Sequence, residues 1–351
     1  MTHQEKMRGF YSLAALGLFA FFLQLAFYTI LQGSEEPRLY DADAYMRLVR
    51  VEELHQTGDW FSNVISRSNA PYGESLHWTR PLDVLLLAGA WLFHFFTNFH
   101  HALLLWGIVI SPLLQILGMG AMVWAIAPFM KREYLWHAAA LFLWTPATLV
   151  PCVCGRPDHH SLLVLLFVLE IGCALRLVAA FFSEQGKQSV ARFSWILGGL
   201  LALSMWISVE SLAVVALCLG LLAALWQSSL INPRNRSSVS SAIARVSLAL
   251  FIGSCVALAL EKPFSHWGLA EVDCLSVVHL SIFGFFALCG LVAMGMEARL
   301  PLPTSSRARF IFAAIVLAGL SAVIGVFFPD FFRGPYAHLN PLAKEIWLKK
   351  V

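Results

Sequence analysis

Nine apolar segments dominate this chain: 9–31, 81–98, 103–127, 134–151, 161–182, 193–230, 243–260, 275–296 and 308–328. Crossing the hydrocarbon core of a bilayer takes about 20 residues of helix. Inside it every backbone polar group has to be satisfied within its own segment, which makes these segments helices. Charged residues make up 13% of the 351 residues and hydrophobic ones 59%, where a soluble domain carries about 25% charged. The chain reads as an all-α integral membrane protein. Its net charge of +3 gives no reason to invoke nucleic acid. The run from Gly9 to Leu31 is long enough to span and lacks a small-residue cleavage site, so it reads as an uncleaved first helix.

Short loops rich in Lys and Arg mark the cytoplasmic side of a membrane. Here they are Lys6/Arg8, Lys131/Arg132, Lys187/Arg192, Arg234/Arg236/Arg245 and Arg299/Arg307/Arg309. Loops on one side are separated by an even number of crossings, yet three apolar segments lie between Arg8 and Lys131. The segment 81–98, short and carrying Asp83 and His94, is the one expected to lie in the interface. It belongs to a long first external loop, about 33–102, with interfacial helices. The run 193–230 is predicted to be a hairpin that turns outside near Trp206–Glu210. The expected architecture is a helical bundle of about nine crossings in the cell (inner) membrane, with the N-terminus cytoplasmic. Residues 1–328 form the transmembrane domain and 329–351 an external C-terminal segment.

Most of the acids then fall on the extracytoplasmic side, where two clusters stand out. The first, Asp41-Ala42-Asp43-Ala44-Tyr45-Met46-Arg47, reads as the start of a helix running to about His55, with Asp41 or Asp43 as N-cap. Asp43 and Arg47 share a face of that helix, as do Arg47 and Arg50. The second, Arg156-Pro157-Asp158-His159-His160, sits where a helix begins again near Ser161, and a helix N-terminus favours anions. Carboxylates suit Mg²⁺ or Mn²⁺, and arginines one turn away suit phosphate oxygens. A capped, solvated helix start is the plain alternative for each cluster. Arg80 lies in a polar stretch, Tyr72 to Asp83, suited to covering a site or holding a headgroup; Trp78 there reads as an interface anchor. Glu210, at the hairpin turn, is a candidate third acid. The seven cysteines show no zinc spacing and no disulfide framework. A bridge from Cys152 or Cys154 to Cys274 is the one pairing geometry leaves open.

These motifs, in this order, resemble the GT-C glycosyltransferases, and among them the catalytic subunit of oligosaccharyltransferase. The likeness rests on Asp41 to Arg47, on Gly58-Asp59-Trp60-Phe61, on Pro71-Tyr72-Gly73 and on Asp158 after the third crossing. It covers roughly residues 35–182. Two departures stand beside it: Asp158-His159-His160 replaces an acidic pair, and the Trp-Trp-Asp-Tyr-Gly motif that reads the acceptor peptide in that family does not occur. The resemblance implies a divalent metal, Mn²⁺ or Mg²⁺, held by Asp41 or Asp43 together with Asp158.

The function implied is transfer of a sugar or oligosaccharide from a polyprenyl-(pyro)phosphate carrier to an acceptor at the extracytoplasmic face. Asp41, Asp43, Asp158 and His159 are the candidate catalytic residues. Arg47, Arg50, Arg80, Arg156, His160 and Glu210 are the candidate substrate contacts, with membrane lipids around them. Two other classes compete. A transporter or flippase of lipid-linked saccharides would use the same groups without chemistry, but neither internal repeats nor midplane charges point that way. A non-catalytic membrane partner would not need Asp158 at all.

Overall fold

The computed structural model describes residues 3–33, 36–68, 70–183, 186–228, 233–299 and 306–333. They are almost wholly helical. Eight helices are long and apolar enough to cross a membrane, and a ninth span is completed if Arg132–Trp144 and Pro146–Cys152, bent by 62°, count as one. The chain is a multi-pass integral membrane protein.

The chain divides into two compact units, 1–176 and 177–351. In the first, helix α1 (His3–Gln32) packs with α4 (Phe99–Ile126) and α5 (Leu135–Trp144). Ala20, Met119, Ala139, Phe142 and Leu143 close the core between them. Two glutamine side chains inside this apolar core bond across helices. Gln24 Nε2 donates to Gln115 Oε1 at 2.7 Å, and Gln115 Nε2 donates to the Leu143 carbonyl at 3.0 Å. The expected straight crossing at 134–151 is instead broken after Trp144, where Pro146 opens the short helix α6 (Pro146–Leu149). Proline lacks the N–H and clashes with the preceding turn, so the axis changes direction there.

The loop between α1 and α4 carries two helices, α2 (Ala42–Thr57) and α3 (Arg80–His94), and between them a minimal hairpin of β1 (Val64–Ile65) with β2 (Glu74–Ser75). At 15 residues α3 is too short to span, as the charge pattern predicted. It lies flush on α4: a Cβ on Gly89 would stand 2.0 Å from the Trp106 ring, which itself donates to the Leu85 carbonyl. Helix α7 (His159–Phe181) starts two residues before the predicted Ser161, because Ser161 N–H already bonds back to the Asp158 carbonyl.

In the second unit α8 (Gly186–Ile207) and α9 (Leu212–Gln227) form the predicted hairpin, turning through 208–211. Helix α10 (Pro233–Glu261) packs along α8 and along α11 (Val277–Arg299), and α12 (Ser306–Phe327) touches α9 and α11. All seven cysteines are free, so the pairing with Cys274 is not made. The C-terminal segment lies within the described residues only as far as Arg333.

Candidate functional site

The two acidic motifs meet in the first unit through the backbone. Tyr40 N–H donates to the Gly155 carbonyl at 2.8 Å, and Gly155 N–H donates to the Ile108 carbonyl of α4 at 2.9 Å. Gly155 turns with φ +80°, a conformation other residues resist. This places Asp41, the N-cap of α2, beside the segment that leads into α7. One oxygen of Asp41, Oδ1, accepts from Ala44 N–H at 2.8 Å, which is the capping role read from sequence.

Arg156 joins the motifs electrostatically. Its Nε lies 3.5 Å from Asp41 Oδ2 and its Nη2 lies 3.5 Å from Asp158 Oδ2. The guanidinium also stands over the Tyr40 ring at 5.8 Å. Asp158 is flanked by two imidazoles, with His159 Nδ1 at 2.8 Å from Oδ1 and His160 Nδ1 at 2.9 Å from Oδ2. Burial opposes ionisation of Asp158, but the two imidazoles set against its oxygens outweigh it and hold the carboxyl well below the usual carboxylate range. The result is a half-buried carboxylate with three cationic or potentially cationic neighbours.

Ligand atoms of Asp158, His159 and His160 lie within 4.8 Å of one another. His159 Nδ1, although close to Asp158, is buried and makes no aligned hydrogen bond. A donor set of one carboxylate and two imidazoles fits a divalent transition metal such as Mn²⁺ or Zn²⁺. It fits Mg²⁺ less well, since Mg²⁺ demands oxygen ligands in strict octahedral order. Asp43 is exposed in the first turn of α2, outside the ion-pair chain that joins Asp41 to Asp158.

Behind this front lies a second charged group, which the sequence reading dispersed. Arg47, Arg50 and Arg80 all converge on Asp83, whose side chain is fully buried. Arg50 donates its Nη2 further to Asn63 and to the Trp78 carbonyl, and Arg80 donates to the carbonyls of Trp60 and Ser62. Arg50 and Arg80 therefore tie the hairpin loop to α2 and α3. Arg47 lies 4.0 Å over the Trp78 ring. Trp78, read from the sequence as an interface anchor, packs its ring on a guanidinium, since the cation attracts the ring face. Burial pushes the Arg47 guanidinium below its ordinary value, while the charge of Asp83 and, more weakly, that of Asp158 pull it back. Asp83 was not singled out for the site; an acid in a short apolar segment was the signal for it. Glu210 lies in the second unit, exposed in the turn between α8 and α9.

No family model and no curated protein matches the sequence. Solved structures do. The chain superposes on the archaeal oligosaccharyltransferase AglB from Archaeoglobus fulgidus, in complex with an inhibitory peptide and a dolichol-phosphate, with a TM-score of 0.67 over 94% of its length at 14% identity. The chain shares its fold with oligosaccharyltransferase. Two further Archaeoglobus fulgidus oligosaccharyltransferase structures agree. One, a complex with Zn and sulfate, gives a TM-score of 0.63 over 89% of this chain at 16% identity. The other, tethered to an acceptor peptide containing the NVT sequon, gives 0.64 over 91% at 15% identity. This chain spans about two fifths of those proteins, covering 38–39% of their length. The all-α, multi-pass architecture expected from the sequence is the architecture found.

Proposed function

We propose that this protein is a membrane glycosyltransferase that moves a sugar or oligosaccharide from a polyprenyl-phosphate or -pyrophosphate carrier to an acceptor at the extracytoplasmic face. One observation carries the reading: on an oligosaccharyltransferase fold, the chain Asp41–Arg156–Asp158 gathers two carboxylates and two imidazoles at one turn. Asp158, His159 and His160 would hold a divalent metal, which when bound supplies Lewis-acid neutralisation of the leaving phosphate.

The chain's own groups account for the rest. Arg156, bridging the two carboxylates and a quarter exposed, donates to phosphate oxygens as the anomeric C–O bond breaks and its electron pair moves onto the phosphate. Arg47 adds positive charge from behind. Asp41 keeps Oδ1 on the helix cap and has Oδ2 only loosely held by Arg156. It is the carboxylate left to take the acceptor's proton as the acceptor atom bonds to the anomeric carbon.

The test is binding of a polyprenyl-phosphate sugar to the purified protein, with Mn²⁺ or with EDTA, for wild type and Asp158→Asn. Metal-dependent binding that Asp158→Asn abolishes supports the reading. Binding indifferent to metal and to Asp158 rejects it.

A further inference from the structure

We propose that Asp83 is a positioning residue for the glycosyl-transfer site. The inference rests on the function proposed above and adds to it a residue remote from the reacting atoms. The Asp83 carboxylate takes three guanidinium groups at once, Arg50 Nε at 2.7 Å, Arg80 Nη1 at 3.1 Å and Arg47 Nη1 at 3.4 Å, and its side chain has no solvent exposure. Arg47 and Arg50 are three residues apart and so leave α2 on one face. Asp83 sits on α3 one turn after Arg80. A single buried carboxylate thereby pins α2 to α3 and closes the hairpin loop over both.

What the pin positions follows from the two ends of α2. Asp41 caps the helix six residues before Arg47, about 9 Å along the axis at 1.5 Å per residue. A helix is stiff over that length, so the register set at Asp83 decides where Asp41 stands against Arg156. Arg47 belongs to the same pin, held between Asp83 and the Trp78 ring.

A merely structural role needs only a buried negative charge, whereas a positioning role depends on where the carboxylate ends. Asp83→Glu separates the two, since it keeps the charge and moves it by one methylene. The measurement is Mn²⁺ affinity by electron paramagnetic resonance on the full chain in nanodiscs, with and without polyprenyl phosphate, alongside thermal unfolding. Asp83→Glu is expected to fold, with a lowered unfolding temperature for the methylene added at a fully buried site, and to lose about tenfold or more in Mn²⁺ affinity, because Arg156, which Asp41 helps to place, lies against the ligand Asp158. Wild-type affinity in a folded Asp83→Glu protein overturns the proposal. Should that variant not fold, Arg47→Lys, which keeps the charge but not the fork held by Asp83, is expected to show the same loss, and unchanged affinity overturns the proposal equally. Asp158→Asn separates the two levels of inference. If it abolishes Mn²⁺ binding while Asp83→Glu leaves binding intact, only the role of Asp83 fails. If wild type binds neither Mn²⁺ nor polyprenyl phosphate, the site itself is misread and both fail.

Discussion

The Tyr40 N–H and the Gly155 carbonyl, 2.8 Å apart, make the bond that brings the two acidic motifs of this protein together. Each motif lies next to one end of it, Asp41 after Tyr40 and Arg156 after Gly155. The Tyr40–Gly155 bond thus anchors Asp41 near Arg156 and Asp158 through the main chain, and side-chain contacts complete the placement.

Gly155→Ala tests that bond. At φ +80° an added Cβ would lie 3.1 Å from the Tyr28 ring and 3.4 Å from the Arg38 carbonyl. The left-handed conformation alone costs an L-residue about 1–2 kcal/mol. We expect lower thermal stability in detergent and a larger loss of divalent-metal affinity than the stability change accounts for. Metal affinity equal to wild type would show that the turn does not position the site.

Asp158 makes a prediction with a definite sign. Its folded carboxyl is depressed by His159 and His160 against the opposing effect of burial. A depressed carboxylate contributes stability that is present above its unfolded value, about 3.9, and is lost only as pH falls through the lower folded value. The stability gap between wild type and Asp158→Asn should therefore persist from neutral pH down to about 5 and should close only in stronger acid. A gap that closes between pH 7 and 5 would mean that the carboxylate is not held as described.

Gln115→Leu probes the polar pair inside the apolar core. The change removes the acceptor for Gln24 and the donor to the Leu143 carbonyl. Interhelical hydrogen bonds in membranes contribute about 0.6 kcal/mol on average and up to about 2. A small destabilisation in that range, measured by unfolding in mixed micelles, is the expected result; none would show that lipid-exposed partners replace the lost bonds.

Gly89→Ala addresses the seat of α3 on α4. With Trp106 ring atoms 2.0 Å from the added methyl, either the indole or the helix has to move. Overpacking of this kind costs about 1–3 kcal/mol. We expect a shifted tryptophan emission and a drop in unfolding temperature, and an unchanged spectrum would place the indole elsewhere.

Much of this molecule is local in origin and so was legible in the chain. Helix α2 with its Asp41 cap, the non-spanning α3, and the α8–α9 hairpin each follow from hydropathy, charge or capping within a single segment. The pairing of Asp158 with two histidines is also local, since the three are consecutive.

Contacts between distant segments were another matter. From the sequence alone, Arg47, Arg50 and Arg80 were candidate substrate contacts, because cations near acids on an external loop suit phosphate. The tertiary structure turns all three inward onto Asp83. Hydropathy determined that this chain crosses a membrane many times and that most of its acids lie outside the apolar segments, because transfer out of water depends on composition. Only the folded structure decided that Asp41 faces Arg156 and that Asp83 gathers three arginines. Those pairings are set by the docking of α2 and α3 onto α4, a geometry that no single segment encodes.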